Sequence, residues 1–441
     1  MARILNFEAI KYIGQKVKVA GWANTVRSHG KIVFIDLRDR SGILQIVCSS
    51  DLASDIKDEY VLEIEGKIGE RPAKMVNPET ETGKIELQAE SVKILAKAAA
   101  LPFDLRDLKA TLPTLLDWRP LTLRNEKIKA IFKIKEQIIK SFRKTLKGLG
   151  FYEFQSPTIT PTNAEGGAEV FRVDYYDYNA YLAQSPQLYK QILVGAFERV
   201  FAVTNIFRAE PSVTTRHISE YTSLDAEMGF INSWEDLMDI CESIIKNIFS
   251  DLQGKFKINV PKISDKIPRI KMREAQQIIF ERTKRDNRKE IDLEPEDEKE
   301  ICAFAKEKYG SELVFITHYP TKKRPFYTFA DPADPDYTLS FDLLCRGLEI
   351  TTGGQRINDY EKLVSNIKKW GNKPEDFEFY LQTFKYGMPP EGGFAFGAER
   401  VAKQILGLEN IREASLFPRD MERIDQRLSL LQPKKVKKTK K

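Results

Sequence analysis

Histidine and cysteine are scarce in this chain: three His and four Cys among 441 residues, with no CxxC or HExxH spacing. Cys48, Cys241, Cys302 and Cys345 lie far apart, as do His29, His217 and His318. That scatter argues against a zinc centre or a disulfide framework and reads the cysteines as small buried apolar residues. No apolar run approaches the roughly 20 residues needed to span a bilayer, so no membrane partner is expected. The opening stretch MARILNFEAIKYIG lacks a basic segment followed by an apolar core and a small-residue cleavage site, which makes a cytoplasmic location the expectation. A large excess of one charge is missing too. Seventy basic residues against 64 acidic ones leave +6, so a generally basic surface is not implied. Where the excess sits matters more: Pro433 to Lys441 reads PKKVKKTKK, a like-charged run expected to be a disordered tail able to touch phosphates without reading sequence. No internal repeat of roughly 20 to 50 residues is present.

What is there reads as globular. Apolar residues make up 42%, aromatics 10% and charged residues 30%, and the length exceeds one core, which suggests two or three units. Residues 14 to 94 hold the runs KVKVAGW, KIVFIDLRD, GILQIVCS, YVLEIEGKI and KIELQAESVKIL, separated by turn residues. About five short β-branched strands in some 80 residues suit an OB-fold barrel, placed at 1–97. From 98 to 125 the alternation lapses, three prolines appear, and the segment reads as a hinge. Between Glu126 and Leu149, Ile128, Ile131, Phe132, Ile138, Ile139, Phe142 and Leu146 follow helical spacing, with Gly150 as the stop. Strand-like pieces interleaved with helices then predict a large mixed sheet with flanking helices over 126–432, an α+β domain. A charged stretch within about 255–330 is expected to form an insertion outside the main sheet.

Three segments concentrate polar residues at the ends of apolar strands. In FRAEPSVTTRHISEY, Arg208 precedes Arg216 and His217 by eight and nine positions. Two strands joined by such a loop suit a triphosphate, because a planar guanidinium binds phosphate oxygens bidentately; Tyr221 could stack on a base. In FDLLCRGLE, Asp342 and Glu349 stand seven residues apart, and a bulge or a turn at Gly347 would bring both to one Mg²⁺. In GGFAFGAER, glycines precede a helix starting near Ala398. Close backbone approach to a ligand explains Gly393 and Gly397, and Arg400 can lie against an adenine face. A surface hairpin, an incidental acid pair and a purely structural glycine turn remain the bland alternatives.

Together these segments resemble a known family. FRAEPSVTTRH looks like motif 2 and GGFAFGAERV like motif 3 of the class II aminoacyl-tRNA synthetases. QSPQLYKQ at Gln184 to Gln191, GGQRIND at Gly353 to Asp359 and FPRD at Phe417 to Asp420 narrow the resemblance to aspartyl-tRNA synthetases of the archaeal and eukaryotic type, over nearly the whole chain from Lys16 to Arg427. The resemblance implies an OB-fold anticodon domain, an antiparallel-sheet catalytic domain, and a homodimer with Pro157 at its interface. It implies activation of L-aspartate by ATP with Mg²⁺, then transfer to tRNA(Asp), with tRNA(Asn) open as a second acceptor.

Roles follow residue by residue. Arg208, Glu349 and Arg400 would be the catalytic set. Ala209, Glu210, Arg216, His217, Ile218, Tyr221, Gly397, Ala398 and Glu399 would join them around ATP. Asp342, Glu349 and Thr352 would hold the metal. Glu165, Ser185, Gln187, Leu188, Tyr189, Lys190, Arg208, Asp225, Thr352 and Arg356 would surround aspartate, with Lys190 and Arg356 as the two cations for its side chain. Arg27, Phe34 and Gln45, with Glu86 as a weaker candidate, would meet the anticodon. Departures stand out as well: Glu391 replaces the His usual before the motif 3 glycines, Phe394 and Phe396 replace small residues, and Asn24 stands where a large aromatic or His is common. An asparaginyl enzyme and a non-catalytic RNA-binding paralogue are the rival readings.

Overall fold

Strict alternation builds the first unit. Along β1 (Lys16–His29) Val17, Val19 and Ala23 are buried between more exposed neighbours, and the same period runs through β2 (Ile32–Asp39) and β3 (Gly42–Ser49). Helix α1 (Ser50–Ala53) leads to β4 (Val61–Glu70) and β5 (Ile85–Ala96). The five strands close in the order β1-β2-β3-β5-β4, and the inward residues Val19, Ile35, Leu37, Leu44, Ile46, Leu62, Ile64 and Leu87 fill the barrel. That is the OB-fold expected, in a computed structural model that describes residues 1–161, 170–211 and 213–431.

The chain divides into two units, Met1–Asp104 and Leu105–Lys441. Most of the expected hinge therefore belongs to the second unit. Pro113 and Pro120 open short helices, α2 (Leu112–Asp117) and α3 (Arg119–Thr122), because a first-turn residue needs no N–H partner. Arg119, 5% exposed, fastens them by donating to the carbonyls of Ser415 and Leu416 at 2.6 and 2.8 Å.

The long amphipathic helix is α4 (Glu126–Gly148), capped by the Asn125 side chain, which accepts from Lys127 and Ile128 N–H. After the short strands β6 (Tyr152–Glu153) and β7 (Ile159–Thr160) come the hairpin β8 (Arg172–Tyr175) and β9 (Tyr178–Leu182), helix α5 (Gln187–Phe197), and the paired strands β10 (Arg199–Phe207) and β11 (Glu220–Gly229). Helix α6 (Glu235–Lys255) precedes β12 (Arg269–Lys271), α7 (Met272–Thr283), α8 (Pro295–Tyr309) and β13 (Leu313–Thr317). The small hairpin β14 (Ala330–Asp331) and β15 (Asp334–Thr338), then β16 (Ser340–Cys345), β17 (Leu348–Gln355), α9 (Tyr360–Lys369), α10 (Glu378–Lys385), β18 (Glu391–Gly397) and α11 (Ala398–Leu406) complete it. The main sheet runs β12-β13-β16-β17-β18-β11-β10-β6, antiparallel except at the two outermost pairs. Helices α4, α6 and α11 pack on one face; α5, α9 and α10 cover part of the other.

The segment 255–330 corrects one expectation. It does not stand outside the sheet: β12 and β13 extend its edge, with every residue of LVFIT buried. The charges that suggested an insertion lie largely in the connection 284–294 and on α8, while Ile279 of α7 and Ile301 and Ala305 of α8 pack inward. Among the described residues, no helix is long and apolar enough to cross a membrane.

Candidate active site

The pleat of the sheet assembles the site. In β11, Leu224, Ala226 and Met228 join the core under α4 and α6, so Ser223, Asp225 and Glu227 face the opposite way. Register carries that face across four strands: Asp225 pairs with Ala395, Ala395 with Thr352, and Thr352 with Asp342. One step along, Glu227 pairs with Gly393 and Gly393 with Gly354. Phe394 and Phe396 point into the core instead, which is how two large residues fit where small ones are common. A cleft of about 300 Å³ opens on this face, lined by Ser185, Gln187, Lys190, Arg208, Tyr221, Asp225, Glu349, Thr352, Arg356, Gly397 and Arg400 among others. A second recess shares Arg208, Tyr221, Gly397 and Arg400 with it and adds Glu210, Arg216, His217, Ile218 and Glu399.

At the deep end two cations meet carboxylates. Lys190, on the sheet-facing side of α5, is 1% exposed and places Nζ 3.1 Å from Asp225 and 3.0 Å from Glu227. Arg356 donates from Nε to Glu227 at 2.7 Å and from Nη2 to the Gly393 carbonyl at 3.1 Å. Burial alone would raise Glu227, yet Arg356 and Lys190 hold it below the usual carboxylate range. Ser185 Oγ accepts from Gln187 N–H at the start of α5, tying the strand-to-helix turn to this pocket. Helical geometry sends Leu188 and Tyr189 elsewhere. They line a separate apolar cavity with Tyr181, Phe377 and Tyr380. Glu165 lies outside the described residues.

The acid pair is joined by a bulge. Register slips between Leu343 and Leu344, leaving Ile350 as the extra residue of β17, and Arg346 and Gly347, both at positive φ, make the turn. Thr352 Oγ1 donates to Glu349 at 3.0 Å, and Arg324 donates to Asp342 at 2.8 Å. Burial, opposed by Arg324 and reinforced by the charge of Glu349, pushes the Asp342 carboxyl up to about 6. Glu349 moves the other way: Arg400 and the Thr352 hydroxyl outweigh its burial and keep it below the usual range. Two carboxylates and a hydroxyl are the oxygen donors a hard divalent cation takes, and their mutual repulsion is what such a cation would relieve. Among the described residues no group of three His, Cys, Asp or Glu side chains is placed to hold a metal ion, so the set fits a cation completed by phosphates and water rather than a cage of protein ligands.

At the outer end, Arg208 lies 5.8 Å over the Tyr221 ring and 3.8 Å from Glu210. Arg400, in the first turn of α11, reaches the Glu349 carbonyl at 3.1 Å. Arg216 is ion-paired with Glu298 of α8, and burial, partly offset by that arginine, pushes Glu298 up to about 7. His217 bonds Thr214 at 2.8 Å; burial and the surrounding arginines, opposed by Glu210, lower it from its ordinary value. Glu399 is taken up internally, its carboxylate held by Lys135 and by the Thr222 N–H at 3.0 Å. The two glycines differ as well. A Cβ on Gly393 would sit 2.0 Å from Glu227 Oε2 and 2.2 Å from the Ala226 carbonyl, so that position is small to admit a carboxylate of its own protein. On Gly397 it would meet only Arg400, at 3.6 Å, and the open cleft.

In the barrel unit, Arg27, Phe34, Asp36, Gln45 and Glu86 share one outer face of β1, β2, β3 and β5. Arg27 stands opposite Phe34 and Asp36 opposite Gln45. Arg27 clasps Asp36 with bonds of 2.7 and 3.0 Å, Gln45 donates to Glu86 at 3.0 Å, and Phe34 is partly exposed, its ring edge against His29. Asn24 accepts from Arg38 at 2.6 Å.

Sequence reasoning missed Glu227, Arg324 and Glu298. Glu227 was within reach, since it stands at i+2 from Asp225 in an alternating strand; Arg324 and Glu298 lie in the stretch read as an insertion.

The chain is similar to known proteins in sequence and fold. The family model described as tRNA synthetases class II (D, K and N) matches residues 111–421, and that of the OB-fold nucleic acid binding domain matches 17–95. The chain is 41% identical to the aspartate--tRNA(Asp/Asn) ligase of Thermus thermophilus over 96% of its own length and 99% of that protein's. To the aspartate--tRNA(Asp) ligase of Pyrococcus furiosus it is 39% identical, over 93% and 96%. The crystal structure of asparaginyl-tRNA synthetase from Pyrococcus horikoshii complexed with asparaginyl-adenylate superposes with a TM-score of 0.84 at 30% identity, covering 94% of this chain and 97% of that one. With the eight-stranded sheet, its bulged acid pair and the barrel ahead of them, the chain belongs to the class II tRNA synthetases of the aspartate, lysine and asparagine group.

Proposed function

We propose that the protein is an aspartate--tRNA ligase that activates L-aspartate with ATP and transfers it to tRNA(Asp). The observation that carries the choice of amino acid is the pair of buried cations, Lys190 and Arg356, at the closed end of the cleft. A side-chain carboxylate satisfies both; an asparagine amide brings no charge and sets donors against donors, a penalty of a few kcal/mol or roughly a hundredfold.

In the first step an α-carboxylate oxygen of aspartate attacks the α-phosphorus of ATP, and the α–β phosphoanhydride bond breaks to release pyrophosphate. Arg208 binds the α-phosphate and the attacking carboxylate, offsetting the charge of the transition state. Tyr221 and Arg400 hold adenine between them, and Arg216 exchanges Glu298 for the distal phosphates. Asp225 and Gln187 orient the substrate ammonium. Asp342, Glu349 and Thr352 would hold Mg²⁺, which supplies charge neutralisation to the triphosphate. No side chain need move a proton in this step, since positioning and electrostatics dominate phosphoryl-type displacement. In the second step a terminal ribose hydroxyl of the tRNA attacks the aspartyl carbonyl carbon, and AMP leaves.

The barrel face with Phe34, Arg27 and Gln45 supports anticodon binding by stacking and polar readout. Pro157 is exposed after β6, where the family resemblance puts a dimer interface, and we extend the proposal to a homodimer. Pyrophosphate exchange tests the reading: aspartate supports it and asparagine at least about a hundredfold less. Equal rates would reject it. Charging of tRNA(Asp) and tRNA(Asn) transcripts then decides whether the second acceptor is used.

A further inference from the structure

Glu391 stands where the resembling enzymes carry His, and its surroundings assign it a state. It is 0% exposed at the start of β18, and among the described residues its Oε2 has no hydrogen-bond partner. Its Oε1 accepts from Gln191 Nε2 at 2.7 Å. The direction of that bond is fixed from behind, because Gln191 Oε1 itself accepts from Gln187 at 2.9 Å and from the Tyr380 hydroxyl at 3.1 Å. On the other side Glu227 stands on the same face of the sheet, Glu227 opposite Gly393 and Gly229 opposite Glu391, and among the described residues its Oε2, apart from the ion pair with Lys190, likewise has no hydrogen-bond partner. Arg356 gives Glu391 only its backbone N–H, which goes to the Glu391 carbonyl, and spends its guanidinium on Glu227, Gln187 and Gly393 over the Tyr327 ring. Lys190 is engaged by Asp225 and Glu227. Donor bonds therefore reach Glu391 from Tyr380 and Gln187 through Gln191, and reach Glu227 from Lys190 and Arg356. One link is missing, between Glu391 and Glu227.

We propose that Glu391 carries a proton, donates it in a hydrogen bond to Glu227, and thereby acts as a specificity-determining positioning residue for the amino-acid side chain. The deduction rests on the reading of this pocket as the aspartate site. Lys190 and Arg356 balance Asp225 and Glu227; a third ionised carboxyl would leave the pocket negative and repel the substrate's own carboxylate. With the proton in place the fixed charges cancel, and Glu227 is pinned where it holds Arg356 in line. Burial and the negative charge of Glu227 both favour the neutral form, placing Glu391 well above the usual carboxylate range.

Two measurements on the full-length enzyme test this. Infrared spectra near neutral pH should contain the carbonyl stretch of a protonated carboxyl group that is lost in the nearly isosteric Glu391→Gln; identical spectra in this region would overturn the proposal. In steady-state exchange, Glu391→Ala should raise KM for aspartate about tenfold, the size expected when a buried charged acceptor loses its donor, with KM for ATP unmoved. Glu391→Gln, whose amide N–H can still donate to Glu227, should recover most of that loss. An ionised Glu391 predicts the opposite sign, with both variants binding aspartate more tightly. If the wild-type enzyme failed to activate aspartate, the functional reading would fall, while the infrared comparison would still decide where the proton is.

Discussion

Lys190 shows how much of this site is electrostatic. An ammonium group at 1% exposure survives only because Asp225 and Glu227 stand 3.1 and 3.0 Å away. Lys190→Leu removes the compensation from two buried carboxylates, so it should abolish aspartate-dependent exchange and cost about 3 to 5 kcal/mol of stability, read by urea denaturation. Normal exchange in that variant would contradict its assignment. Glu298 makes a pH prediction. Its folded value near 7 lies above its ordinary one, so the stability it contributes is fully present below about 4.5 and is lost as pH rises through 7. Glu298→Gln should therefore gain stability over wild type at pH 8 relative to pH 5, by at most about 3 kcal/mol; an equal difference at both pH values would count against the burial argument. Lys190, Arg356, Asp225 and Thr352 were legible from the resemblance. Arg324 and Glu298 were not, because a charged run says nothing about which of its members turn inward.

At the scale of elements, alternation did most of the work. β11 sorts LDAEMG into core and site faces, and the register of β11, β18, β17 and β16 lines up Asp225, Ala395, Thr352 and Asp342. The spacing of Asp342 and Glu349 required a bulge or turn, and the fold has both. Proline punctuation misled at 98–125, since a first-turn proline starts a helix as readily as it marks a linker. The short strand LVFIT, coming directly after the charged helix α8, hid the sheet edge in a similar way. Gly393 turns on close packing within the sheet. Gly393→Ala should displace the Glu227 carboxylate and cost about 1 to 3 kcal/mol in thermal unfolding, with KM for aspartate rising. A stable variant with unchanged KM would mean that the strand yields more than this packing allows.

For the whole molecule, the family matches divide as the fold does: the OB-fold nucleic acid binding domain falls in the barrel unit and the class II synthetase domain in the sheet unit. Phe34→Ala should raise KM for tRNA by an amount equal to about 1 to 3 kcal/mol while leaving tRNA-independent exchange at the wild-type rate. Unaltered aminoacylation would return Phe34 to a packing role. The division itself was legible, because five short strands and a long α+β stretch differ in period as well as composition. The amino-acid pocket decides the account. A crystal structure of the full chain with a non-hydrolysable aspartyl-adenylate analogue should show the aspartyl side-chain carboxylate bonded to both Lys190 and Arg356, with adenine between Tyr221 and Arg400. A ligand whose carboxylate sat away from both cations would contradict it.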